Sequence, residues 1–141
     1  MTKRFLQKDV ILIIKNISWI EFDNRMEAVF EKRLVNVDDL YFNVDKEFKF
    51  GEGCELSDLE ALDYLQNLCN MSGQLCVITD YCYEKKCGPF VVEASEINEF
   101  VGDFYSVYGE AFYSTDIIII NFPEKKIWVL FHEGICWLSR G

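Results

Sequence analysis

The hydrophobic and polar positions of this chain change period along its length. Leu59, Leu62, Leu65, Leu68 and Cys69 recur at helical spacing, with Asp58, Glu60, Asp63 and Asn67 outside that stripe. Ser57-Asp58-Leu59-Glu60 ahead of them is a capping box, in which a hydroxyl and a carboxylate satisfy opposite orphan amides. The pattern predicts a helix from Ser57 to Ser72-Gly73, with one buried and one acidic face. A second helix is predicted after Ser95, where Ile97, Phe100, Val101, Phe104 and Tyr108 share a face. Glu96, Glu99 and Asp103 lie on the polar side, and Gly109 is the stop.

Elsewhere the apolar residues run together or alternate, as strands require. Asp116–Phe122 holds four consecutive isoleucines, a β-branched run suited to a strand buried on both sides. With Ile127–Phe131 and Ile135–Leu138 it predicts an antiparallel meander. Gln74–Tyr81 and Phe90–Glu93 are two further strands, joined by the polar loop Tyr83-Glu84-Lys85-Lys86. In the first fifty residues, Val10–Phe22 is extended in part. Met26, Val29, Phe30, Arg33 and Leu34 form a helix face, and Tyr41–Phe50 alternates as a strand. The expected architecture is α+β, with the meander packed against two or three amphipathic helices.

Composition supports a single domain over residues 1–141. Half of the 141 residues are hydrophobic, with 12 Phe, 7 Tyr and 3 Trp. A chain of this size buries a core without needing a disulfide or a metal. Two prolines and eight glycines leave no linker that would divide it. Lys3, Arg4 and Lys8 precede an apolar run, but Asp9 interrupts it, and Val10–Ile14 is too short for a bilayer span or a signal core. The expected location is the cytoplasm. There the six cysteines, at 54, 69, 76, 82, 87 and 136, are expected to stay reduced.

Charge sharpens the picture. The net charge is −10, yet residues 1–50 are balanced. The excess sits between 51 and 120, where Lys85 and Lys86 are the only bases. Glu52, Glu55, Asp58, Glu60 and Asp63 lead the acids there, and Glu96, Glu99 and Asp103 follow. An acidic surface repels nucleic acid and anionic membrane and attracts basic proteins. The bland alternative is that these acids only keep two amphipathic helices soluble.

Candidate chemistry is sparse. His132, the one histidine, lies in a predicted turn near Cys136, and no oxyanion site accompanies the pair. Cys82 and Cys87 have a tolerable ligand spacing, but no CxxC occurs and no second close pair matches them. Gly51-Glu52-Gly53 lacks the lysine and the strand–helix context of a phosphate loop. No cofactor, metal or catalytic site is expected, and the chain reads as a binding protein.

The acidic helix, then Tyr113-Ser114-Thr115-Asp116-Ile117-Ile118-Ile119-Ile120-Asn121, then Ile127-Trp128-Val129-Leu130-Phe131-His132-Glu133-Gly134, resembles the small immunity proteins of bacterial contact-dependent inhibition and related polymorphic toxin systems. The resemblance covers residues 74–138. It implies a cytoplasmic inhibitor that binds the C-terminal toxin domain of a neighbouring cell's effector, often a nuclease. Such proteins share no site pattern, so no residue role is carried over. The charge map gives the expected partner-binding face: Glu52, Glu55, Asp58, Glu60 and Asp63, then Glu96, Glu99 and Asp103, with Tyr64 as a central aromatic anchor. The competing readings are a small enzyme with an unrecognised site and an adaptor domain of a larger assembly.

Overall fold

The computed structural model describes residues 2–7, 10–53 and 55–141, with side chains from residue 14 onward. Lys8, Asp9 and Cys54, considered above, lie outside the described residues. In chain order the elements are strands β1 (Thr2–Gln7) and β2 (Val10–Asn16), helix α1 (Trp19–Phe30), a 3-10 turn (Val37–Leu40) and strand β3 (Val44–Lys49). Helix α2 (Asp58–Leu68), strand β4 (Gln74–Ile78), the short helix α3 (Asp80–Glu84), strand β5 (Phe90–Glu93) and helix α4 (Ile97–Tyr108) follow. The chain ends in strands β6 (Ile117–Asn121), β7 (Lys126–Phe131) and β8 (Ile135–Arg140).

The eight strands form one sheet in the order β1-β2-β5-β4-β6-β7-β8-β3, every neighbouring pair antiparallel. The predicted meander is β6-β7-β8. β4 lies between β5 and β6, so α4 carries the chain across one strand. β3 lies farthest from β4, although α2 alone separates them in sequence, and it closes the sheet beside β8.

Both faces of the sheet are covered. Every residue of β6 is buried, as are Ile127–Leu130 of β7 and Cys136–Ser139 of β8. Residues opposed across a ladder share a face. On one face Phe90 of β5 meets Phe100 and Phe104 of α4, with centroids 5.2 and 5.7 Å apart. On that face the Trp128 indole N–H donates to the Cys69 carbonyl at the end of α2 (3.2 Å). On the other, Trp137 donates to the Leu40 carbonyl of the 3-10 turn (3.0 Å). Phe22 and Phe30 of α1 pack on Phe122 just beyond β6. Trp128 and Trp137 are thus buried with their one polar atom satisfied, as a buried indole requires.

Local chemistry explains where the expected boundaries moved. The extended stretch from Val10 stops at Asn16, because Ser18 caps α1 by accepting from the Glu21 amide (3.1 Å). α1 ends at Phe30, where Glu31 turns left-handed (φ 56°), so Arg33 and Leu34 lie beyond the helix they were expected to join. Strand Gln74–Tyr81 stops at Ile78. Asp80–Glu84 is helical, so the expected loop from Tyr83 begins in a helix, and Tyr81 goes under α4 against Phe104 and Tyr108. β3 is shorter than Tyr41–Phe50, since the 3-10 turn reaches Leu40 and Asn43 takes φ 44°. Two glycines are required by close approach. A Cβ on Gly88 would meet the Ile17 carbonyl oxygen, and one on Gly134 would meet the backbone of Gly51 and Glu52.

Candidate protein-binding face

Helix α2 organises the acidic surface, and its phase decides which acid does what. The capping box is formed: the Ser57 amide donates to Glu60 Oε1 (2.9 Å) and the Glu60 amide to Ser57 Oγ (3.2 Å). The Ser57 amide, and after it the Ser57 side chain, hold the Glu60 carboxyl below its ordinary pKa by hydrogen bonding to it. The buried side of the helix is Ala61, Leu62, Leu65 and Leu68. At about 100° per residue, Leu59 falls roughly 130° from the centre of that arc and Asp58 only about 30° from it. The sequence pattern placed Leu59 in the buried stripe and Asp58 outside it. The structure reverses both.

Leu59 is 52% exposed. Asp58 is half-buried and reaches across to the chain after α4, where Oδ2 accepts from the Phe112 amide (2.9 Å) and Oδ1 from the Tyr113 amide (3.0 Å). Both carboxylate oxygens are engaged in holding that turn, so Asp58 acts as a clamp between α2 and the approach to β6.

The remaining acids are placed in three ways. Glu52 and Glu55 are exposed in the loop between β3 and α2. Glu60 and Asp63 are exposed on α2. With Leu59, Leu62, Gln66 and Asn98 they line an open groove of about 380 Å³ between α2 and α4, and no basic residue lines it. Gln66 Nε2 donates to Asn98 Oδ1 (2.8 Å), tying the middle of α2 to the start of α4. Glu96, Glu99 and Asp103 are half-buried along α4 and the turn before it. Tyr64 takes the other flank of α2. Its ring stacks on Phe48 and Phe50, with centroids 5.2 and 5.5 Å away, and it lines a separate cleft of about 410 Å³ with Lys46, Glu47, Phe48, Asn67 and Leu68. The groove's exposed apolar residue is Leu59. The groove also brings in Leu59, Gln66 and Asn98, which the charge map does not single out; for Leu59 the available signal is the phase of α2 against Ala61.

Elsewhere the reactive groups are quiet, with one exception. His132 is exposed in the β7–β8 turn; its amide donates to Asp116 Oδ1 (2.9 Å) and its Nδ1 lies 3.1 Å from the same oxygen. Cys136 is buried, and burial pushes its thiol up to about 11. Cys76 is held near 11 for the same reason, and burial also raises Cys82. Half-buried Cys87 goes the other way: a hydrogen bond from the Cys82 side chain lowers it to about 7. The Asn16 amide also approaches its sulfur, at 3.5 Å. Among the described residues, no group of three or more His, Cys, Asp and Glu is arranged to hold a metal ion. No described helix is long and apolar enough to cross a membrane.

Comparisons with protein-family models, curated proteins and solved structures find no match to this chain. The functional reading rests on the groove and the charge around it.

Proposed function

We propose that this protein is a non-catalytic inhibitor that seats its acidic α2–α4 face against a basic toxin domain, of the nuclease class. The observation that carries the reading is the groove itself: Glu60 and Asp63 surround exposed Leu59 and the Gln66–Asn98 pair, with no cation among the lining residues. A nuclease holds phosphates with lysine and arginine, and a surface that mimics that charge competes for them. The acids steer association and select the partner, while a desolvated apolar anchor contributes most of the affinity. Leu59 is that anchor. Asp58 takes no direct part, because its carboxylate holds the Phe112–Tyr113 turn.

The test uses charge reversal at residues that do not hold the fold. Glu52, Glu55 and Asp63 are exposed and have no ion pair or side-chain hydrogen bond among the described residues. Association is measured by stopped flow against a purified toxin domain encoded beside this chain's own reading frame. Changing all three to Lys is expected to slow association about tenfold at low salt and to flatten its salt dependence. Leu59→Ala is expected to speed dissociation instead. Unchanged kinetics in both variants would mean that another face binds, and failure of the wild type to inhibit that domain would remove the inhibitor reading.

A further inference from the structure

One long edge of the sheet is open, and its sequence is complementary to itself. Among the described residues β3 pairs with β8 on one side only, and every residue from Asp45 to Lys49 is exposed. The Phe50 amide donates to the Gly134 carbonyl (2.8 Å), and the register continues through Phe48↔Cys136 and Lys46↔Leu138. In an antiparallel ladder successive residues turn their amide and carbonyl to opposite sides. From Lys46 onward, past the register shift between Val44 and Lys46, the even-numbered residues therefore face β8, and Glu47 and Lys49 present theirs to the open edge.

A two-fold antiparallel pairing of β3 with its own copy must be centred on a residue, so that outward-facing positions meet each other. Centred on Lys46, Glu47 or Lys49, the pairing sets two identical charges face to face. Centred on Phe48, it sets Glu47 opposite Lys49 twice, Phe48 opposite Phe48, and Lys46 opposite Phe50. Of the four registers, only this one opposes no like charges. Phe48 is 47% exposed and already stacks on Tyr64 at 5.2 Å, so the pairing would join two aromatic stacks on one face of a continuous sheet. Lys49 forms no ion pair among the described residues.

We propose that β3 is a self-association edge: two copies of this chain pair antiparallel about Phe48, bridged by reciprocal Glu47–Lys49 contacts. The inference is independent of the inhibitor reading, since it uses a different edge of the fold.

The experiment is a charge swap read by sedimentation equilibrium, with circular dichroism melts confirming that each variant is folded. The wild type is expected to dimerise reversibly. Glu47→Lys and Lys49→Glu each turn both bridges into like-charge pairs, and each is expected to weaken dimerisation about tenfold or more. Mixing the two single variants restores both bridges in a heterodimer, and the double variant E47K/K49E restores them in a homodimer. Recovery in both cases supports the register. A wild type that stays monomeric at its highest soluble concentration overturns the proposal. So do single variants that dimerise like the wild type, and so does a mixture that fails to recover.

Discussion

Strands β6 and β3 belong to the same sheet and have nearly the same length, yet they do opposite work. In β6 the run Ile117-Ile118-Ile119-Ile120-Asn121 is buried throughout, with β4 on one side, β7 on the other and helices over both faces. In β3 the run Asp45-Lys46-Glu47-Phe48-Lys49 is exposed throughout, with one neighbour and an open edge. The centre of the sheet has no free backbone group and no charge, so it is built for stability. The rim keeps both, the groups that a second strand or a charged partner would use. The same contrast separates the buried thiols from Cys87, and the inward side of α2 from the groove where Leu59 is exposed.

The widest measurable gap between centre and rim is chemical. Cys76, on β4 beside β6, is buried with its thiol pushed up to about 11, whereas Cys87 is half-buried and lowered to about 7. At neutral pH Cys87 is therefore far more ionised than Cys76. Mass-resolved alkylation of the native protein should label Cys87 first. Its rate should rise through about pH 7, since the anion reacts and the lowered pKa moves its formation down the scale. Equal labelling of Cys76 and Cys87 would break the distinction.

Stability should follow the same gradient. Trp128→Ala empties a fully buried site in β7 and strands the Cys69 carbonyl, so urea unfolding should show a loss of about 3–5 kcal/mol. Phe48→Ala on β3 removes a half-exposed ring and should cost about 1 kcal/mol or less. Asp58→Ala falls between them. It leaves the Phe112 and Tyr113 amides without their carboxylate partner, with Phe112 itself buried, and should cost about 2–3 kcal/mol in the same titration. Asp63→Ala, one helical turn further on and exposed, should be close to neutral. An Asp58 variant as mild as Asp63→Ala would return Asp58 to the binding face.

How much of this was legible depends on how local the cause is. The capping box at Ser57 and Glu60, the isoleucine strand, the meander and the glycine stop at Gly109 are each specified within a few residues, and each stands in the structure. The α3 helix was not legible, because Asp80–Glu84 is too short to show a period. The phase of α2 differs from the sequence pattern for a related reason. Leucine outranks alanine as a core residue, so the pattern favours a stripe through Leu59, whereas the helix buries Ala61.

The sequence by itself determined the alternation of elements, the acidic bias of residues 51–120 and the apolar runs that became the centre of the sheet, because propensity, capping and periodicity act over one or two turns of chain. Only the tertiary structure decided that β3 closes the sheet beside β8, that Tyr64 stacks on Phe48 and lines a different cleft from Asp63, and that Asp58 faces inward to hold residues 112 and 113. Those outcomes depend on partners 16 to about 90 positions away, and which partner a side chain meets is set by how the sheet is ordered and covered, not by its neighbours in the chain.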